Sequence, residues 1–324
     1  MPPLTSSLLL DLSEYEMALA HTPVLLEELV DLLGPQPGET VFDATFGAGG
    51  HAEAVAGRLG AGGTLIVCDR DPSVAEFYRD LARTAPCATR LYFGNFAEVL
   101  AEMDDASLDV AYMDLGVSSM QLDRRERGFS YAYDAPLDMR MDPSEGRSAA
   151  DLVNELPADE LTSIFRRYGE ERYAREIARA IVIERGRHPL TTTSQLVEVI
   201  KRAIPTPARF AAGNPARRVF QALRIVVNDE LESLARGLDE AFRVLRPCGR
   251  LAIISFHSLE DRMVKEFFRG HAAGCICPPG LPVCVCGHQP TMTVLTRRPV
   301  VPRAAEVQLN PRSKSAKLRV AVKL

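Results

Sequence analysis

The residues best suited to chemistry in this 324-residue chain surround a glycine-rich turn, Asp43-Ala-Thr-Phe-Gly-Ala-Gly-Gly-His51. The pattern Gly47-x-Gly49-x-x-Ala52 allows a tight turn and lets a ligand approach the backbone. Asp69 lies 22 residues beyond Gly47, where an acid suits ribose hydroxyls. Enzymes that bind dinucleotides and enzymes that bind S-adenosylmethionine share this arrangement. Asp43 separates them: a dinucleotide strand usually carries an apolar residue before the turn, whereas an acid there can hold a cationic methionine end. Asp114 closes a later apolar run, where open sheets place ligands, although a plain strand-end cap is the alternative. Phe96 follows another such run, and its ring either stacks on adenine or belongs to the core.

Those residues need strands and helices to position them. Thr40–Phe42, Thr64–Cys68, Thr89–Phe93 and Leu108–Met113 read as short buried strands. Helical periodicity covers Pro23–Leu33, Ala52–Leu59 and Pro72–Thr84. Strand–helix alternation of this kind implies a parallel sheet with right-handed crossovers. The rhythm stops at Gly116. Residues 117–147 show neither period and form a long loop, a feature uncommon in compact domains unless it is functional. Within it Arg124, Arg125, Arg127, Phe129, Tyr131 and Arg140 mix cations with aromatics, which suits an unpaired base and its phosphates.

From Ser148 the pattern turns helical, opened by the capping box Ser148-x-x-Asp151 and continued over 158–168, 170–185 and 193–203. After a helix over Arg217–Leu245, the strand Gly249–Ser255 and the helix Leu259–Arg269 resume the sheet. Thr291–Thr296 and Ala316–Lys323 read as two final strands. The expected organisation is an N-terminal disordered extension (1–20), a catalytic domain made of 21–130 and 216–324, and an inserted helical subdomain at 131–215.

Composition is that of a globular chain: 46% hydrophobic, 25% charged, net charge −5. No apolar run is long enough for a membrane span, the first sixteen residues hold no basic residue to make a secretory signal, and the chain reads as cytoplasmic. An acidic whole argues against a non-specific nucleic-acid coat. From residue 297 onward, however, eight basic residues face one acid, Glu306, so a polyanion partner is expected at one place only. Arg312, Lys314, Lys317 and Arg319 are the candidates for contacting phosphates. Seven cysteines make an odd number, unlike a disulfide framework. Four of them form Cys275-x-Cys277 and Cys284-x-Cys286, either a structural zinc site or a reduced, metal-free loop. None is assigned as a metal ligand.

Several longer motifs resemble one family. They are His21-Thr-Pro-Val-Leu-Leu26, Asp43 to His51, Asp69-Arg-Asp-Pro72 and Asp114-Leu-Gly-Val-Ser-Ser119. Arg127-Gly-Phe-Ser130, Leu137-Asp-Met-Arg-Met141, Tyr168-Gly-Glu-Glu-Arg172 and Phe220-Gln-Ala-Leu-Arg-Ile225 follow. Ser255 to Arg262 and Asn310 to Arg319 complete the set. Together they resemble the bacterial 16S rRNA cytosine-N4 methyltransferase family, in order, from His21 to the C-terminus. The resemblance implies an α/β fold: a Rossmann-like methyltransferase sheet that uses S-adenosylmethionine and carries an all-helical insert. It implies cofactor contacts from Gly49, Gly50, His51, Asp69, Phe96, Asp114 and Gln121, and a catalytic role for Asp114. The implied partner is 16S rRNA within the small ribosomal subunit; no membrane is involved, and a homodimer stays open.

The chemistry agrees with an amine target. Methylation of cytosine C5 needs a cysteine nucleophile, and Pro247-Cys248 reads instead as a helix-to-strand turn. An exocyclic amine needs only its lone pair freed, an acceptor for its protons and alignment with the methyl group. Asp114 and the Ser118–Ser119 loop are the best-placed groups. Many amino-methyltransferases carry Asp/Asn/Ser-Pro-Pro-aromatic at this point, whereas this chain has Asp-Leu-Gly-Val. His257 reads as a core or strand-end residue, with substrate contact the lesser option. Three rivals stay open: a nicotinamide-dependent oxidoreductase, a DNA amino-methyltransferase, and a non-catalytic zinc-bearing ribosome-assembly factor.

Overall fold

The computed structural model describes residues 23–209, 215–275, 277, 283 and 286–324. The expected N-terminal extension and the His21-Thr22 start of the first motif lie outside the described residues. The chain divides into two compact units, one made of 1–116 and 233–324, the other of 117–232.

The first unit is built on a seven-stranded sheet in the order β3-β2-β1-β4-β5-β7-β6. Its strands are β1 (Thr40–Asp43), β2 (Thr64–Asp69), β3 (Ala88–Phe93), β4 (Leu108–Asp114), β5 (Leu245–Ser255), β6 (Met292–Val294) and β7 (Lys317–Lys323). The first five run parallel, and β7 is antiparallel to both β5 and β6. The chain runs from β1 out to β3 on one side, then restarts at β4 on the other. The crevice between β1 and β4 is therefore the switch point at which open α/β sheets bind ligands. Central strands covered on both faces must be apolar throughout, and Val41, Phe42, Leu65, Val67, Val110, Ala111 and Met113 are all buried.

The helices of this unit are α1 (Leu26–Leu33), α2 (Gly50–Leu59), α3 (Ala75–Thr84) and α4 (Phe96–Ala101). One face of the sheet presents Phe42, Ile66, Cys68, Ala111, Met113, Leu251 and Ile253, alternate residues of their strands, in a single apolar cluster. Helices that appear later in the chain supply Leu234, Leu238, Ala241, Val264 and Phe268 to the same cluster. On the other side α2 packs on β2 and α1 on β5 and β7. The two final strands do form, but β7 lies inside the sheet between β5 and β6, so the edge is the three-residue β6. A short edge strand offers little template for unwanted pairing.

The second unit is helical: α5 (Ser119–Asp123), α6 (Ala149–Glu155), α7 (Ala158–Arg167), α8 (Ala174–Arg185), α9 (Thr193–Ala203), α10 (Thr206–Arg209) and α11 (Pro215–Val227). Capping boxes open α5 at Ser118, α6 at Ser148 and α9 at Thr192. Its core joins Leu161, Phe165, Ile177, Ile181, Leu196 and Ile200 to Ala216, Val219, Phe220 and Leu223. Val117, Leu122 and Phe129 pack there too. The unit is accordingly wider than 131–215 at both ends. Gly169 lets the backbone after α7 approach α11, since a Cβ there would stand 2.6 Å from the Arg218 carbonyl oxygen.

The long helix expected over Arg217–Leu245 is two helices, α11 and α12 (Glu230–Val244). The apolar period runs on across the break, which is why sequence periodicity misses it. Asp229 takes a left-handed φ of 50°, and the Asn228 side chain donates to the Met139 carbonyl at 2.8 Å and accepts from the Met141 amide at 2.7 Å. These bonds hold part of the 117–147 loop. After β5 comes the last long helix, α13 (Ser258–His271), and α14 (Ala304–Leu309) precedes β7. Among the described residues no helix is long and apolar enough to cross a membrane.

Candidate functional site

Asp43, Asp69 and Asp114 are the last residues of β1, β2 and β4, neighbouring strands that point the same way. Parallel register brings three acids to one edge of the sheet, at the switch point. Among the described residues no lysine or arginine pairs with any of the three, and hydrogen bonds hold the carboxylates of Asp43 and Asp69 instead. Asp43 is 1% exposed; its carboxylate accepts from the Tyr112 hydroxyl at 2.7 Å and the Thr45 amide at 3.0 Å. Burial raises its pKa to about 7 against those bonds.

Asp69 accepts from the Gly47 amide at 2.8 Å and the Asp71 amide at 2.9 Å. It thereby ties the glycine turn to the end of β2. Burial raises its pKa to about 6, so it is mostly ionised at neutral pH. Gly47 and Gly49 adopt φ of 54° and 83°, a region costly for other residues. At Gly50 the constraint is space: a Cβ would come 2.3 Å from Pro23.

Asp114 differs from the other two. Its backbone N–H donates to Thr45 Oγ1 at 2.6 Å, and its side chain is 24% exposed, but Oδ1 is buried with no hydrogen-bond partner among the described residues. Its pKa is pushed well up, first by burial, then by Asp43 and Glu260. His51 Nδ1 stands 3.5 Å from Asp114 Oδ2 while its Nε2 meets the Val24 carbonyl at 3.0 Å. Burial drives the His51 pKa down to about 4, so the ring is neutral. A neutral ring that donates from Nε2 to a carbonyl must present a lone pair at Nδ1. The contact is thus a proton-sharing pair rather than a salt bridge.

Phe96 opens α4 and lies at the rim of the sheet core, where its ring packs so closely on Gly237 that a Cβ there would come within 2.2 Å. Gln121 belongs to the helical unit. It is buried, and its side chain accepts from the Ser118 amide at 3.2 Å to close the capping box of α5. His257 is the N-cap of α13, bonded through Nδ1 to the Glu260 amide at 3.3 Å, the strand-end role expected by default. The structure therefore gathers Gly49, Gly50, His51, Asp69 and Asp114 at the switch point and sets Phe96 one loop away.

Sequence reasoning missed four supports: Tyr112 on Asp43, Thr45 on Asp114, Glu260 in the field of Asp114, and Ser233, which accepts from Arg70 at 2.6 Å and Asn95 at 3.0 Å. Thr45, inside the glycine motif, was the one with a local signal.

Two expectations about cations need correction. Arg319 is 7% exposed and bonds Asp261 at 2.7 Å, with Lys317 on the other oxygen at 2.8 Å. Both are structural, while Arg312 and Lys314 remain exposed. In the loop, Arg127 donates to the Arg140 and Met141 carbonyls at 2.9 and 2.7 Å, Arg140 forks onto Asp138, and Phe129 is buried. These three shape the loop. Arg124, Arg125 and the 37%-exposed Tyr131 are its accessible residues.

The model of the MraW methylase family matches residues 18–324. The chain belongs to this family. A relative from Symbiobacterium thermophilum named ribosomal RNA small subunit methyltransferase H is 51% identical over 313 residues, 95% of this chain and 98% of its own length. Relatives of the same name from Syntrophotalea carbinolica and Geobacter sulfurreducens are each 50% identical over 311 residues, covering 94% and 95% of this chain and 98% and 100% of their own. The chain is a methyltransferase of Rossmann-like fold, and its methyl donor is S-adenosylmethionine.

Proposed function

We propose that this enzyme methylates the exocyclic N4 amine of a cytidine in the decoding region of 16S rRNA, within the small ribosomal subunit in the cytoplasm. The observation that carries the reading is Asp114: a strand-end acid with one oxygen facing a neutral histidine and the other buried without a partner among the described residues. Buried polar atoms are seldom left unpaired, and those that are tend to await a ligand. The relatives' name supports ribosomal RNA as the substrate.

The residues fit S-adenosylmethionine. Gly49 and Gly50 form a close-packed turn where a Cβ would meet Phe46 or Pro23, Asp69 is pre-positioned by two amides for the ribose, and Asp43 lies where an acid suits the cationic methionine end. His51 and Phe96 line the approach, and Gln121 is assigned to the same cofactor from the family resemblance. When bound, the donor supplies an electrophilic methyl group on a cationic sulfur.

The chain's own part is proton handling. With a proton on Oδ2 shared toward His51 Nδ1, Asp114 Oδ1 is an acceptor oxygen. It receives an N4–H bond and turns the amine lone pair out of ring conjugation. As the amine becomes cationic it gives that proton to Oδ1, and Oδ2 passes its own to His51 Nδ1. No cysteine takes part: Cys68 is buried at the end of β2, and burial pushes its thiol pKa far up. Every group named lies on one chain, so a homodimer is not required by the chemistry.

A cytidine amine is tied up in a Watson–Crick pair, and extruding the base costs a few kcal/mol. A base already displayed in a folded subunit lowers that cost. Small subunits from a strain lacking the gene should take up labelled methyl, and mass mapping should place it on a decoding-region cytidine. Short naked RNA should react weakly. Label on DNA, on cytosine C5, or on no RNA at all would replace this reading with one of its rivals.

A further inference from the structure

The loop that joins α13 to β6 runs through residues 272–291 and holds no helix or strand among its described residues. Its neck is closed. The Thr291 amide donates to the His271 carbonyl at 2.7 Å, and Thr291 Oγ1 meets His271 Nδ1 at 2.8 Å. Beyond the neck, three thiols converge: Cys275, Cys277 and Cys286 place their sulfurs within 4.8 Å of one another. The methyl-transfer chemistry uses none of them.

The geometry points to a thiolate site for a soft divalent cation, zinc, bound by Cys275, Cys277 and Cys286. Zinc–sulfur bonds of about 2.3 Å at tetrahedral angles separate two thiolates by about 3.8 Å. Cys275 Sγ and Cys286 Sγ stand 3.8 Å apart. A disulfide would require about 2.05 Å. The Cys277 amide donates to Cys275 Sγ at 3.4 Å, which fixes that sulfur on the inner side of the turn between the two residues. Immediately after Cys286 the chain turns through Gly287 at φ 58°.

The sequence pairs Cys275 with Cys277 and Cys284 with Cys286; Cys284 lies outside the described residues. Thiolate ligands select zinc over the hard cations of oxygen sites. Binding replaces three S–H bonds by three zinc–sulfur bonds and releases three protons to solvent. The gain is order: a metal tying residue 275 to residue 286 removes conformational freedom from the loop between them.

The full chain, expressed with zinc in the medium and purified without chelator or immobilised nickel, should contain about one zinc per chain by elemental analysis. The double variant Cys275→Ser/Cys286→Ser should contain less than about a tenth of that. Cys248→Ser, at an exposed position of β5, should keep it. Cobalt added to metal-stripped wild type should give intense thiolate-to-cobalt charge-transfer absorption, absent from the double variant even where that variant is folded by circular dichroism. Wild-type protein that takes up neither metal, metal retained by the double variant, or a Cys275–Cys286 disulfide in protein kept under reductant would each overturn the assignment.

Discussion

Asp114 and Asp261 are acids of the same unit, one at the end of β4 and the other in the first turn of α13, and their surroundings are opposite. Asp261 has a guanidinium on one oxygen and an ammonium on the other, and these hold its carboxyl below the usual range. Asp114 has two acids in its field, a neutral histidine beside it and one oxygen unbonded, and its pKa is pushed well up. Folding alone explains the first arrangement. It does not explain the second, since a buried acid with a polar atom left unbonded costs stability whether it is charged or protonated. On the proposed function an acid in that condition is kept for the substrate, and charge compensation then separates the structural acid from the chemical one.

Replacing Asp114 should give the largest effect on turnover. Asp114→Ala should fold with wild-type or higher stability and lose about 10²–10⁴-fold in methyl transfer, the usual worth of a positioned acid or base, while Asp114→Asn keeps a trace. Single-turnover rates and thermal melts check both halves.

Asp261→Ala should do the reverse, leaving S-adenosylmethionine affinity intact and destabilising the fold by about 3–5 kcal/mol, because Arg319 would stay buried without its partner. Urea denaturation reads this directly. A stable, inactive Asp261→Ala would abolish the contrast.

The pH dependence of stability should carry opposite signs at the two edges. Asp43 is raised from 3.8 to about 7, so the native state holds the extra proton and stability from this group falls as pH rises from about 4 to about 7. Asp43→Asn should remove that slope and be worth up to about 4 kcal/mol at pH 8 relative to pH 4. Asp261, whose pKa is lowered, contributes stability that is present above its unfolded value and lost as pH falls through its folded one. Denaturation curves at pH 4 and 8 distinguish the two.

The smallest effect is expected at the tail. Arg312→Ala with Lys314→Ala should flatten the salt dependence of subunit binding by up to about 0.7–0.9 in log–log slope per lost phosphate contact, and leave cofactor binding unchanged. Adding Lys317→Ala should lower stability and leave that slope where the double variant put it.

What the sequence made legible was local. The Gly47–Ala52 turn, the strand-end acids and the capping box at Ser148 depend on residues a few positions apart, and their spacing is written in the chain. Charge partners are not. Arg319 meets Asp261 across 58 residues and Tyr112 meets Asp43 across 69. Until β7 is known to pack against α13, nothing distinguishes Arg319 from an exposed tail cation such as Arg312. The break at Asn228-Asp229 was hidden because both helices keep their apolar stripe in phase across it. Arg127 and Arg140 looked like phosphate ligands because the sequence gives no sign that backbone carbonyls and Asp138 already hold them.

Calorimetric titration of S-adenosylmethionine into Asp69→Ala, with Asp261→Asn alongside, tests most directly whether the uncompensated acids at the strand ends form the donor site. Losing a charge-assisted hydrogen bond costs about 1.5–3 kcal/mol, so Asp69→Ala should bind roughly 10- to 150-fold more weakly, and Asp261→Asn as wild type. Unchanged affinity in a folded Asp69→Ala would contradict it.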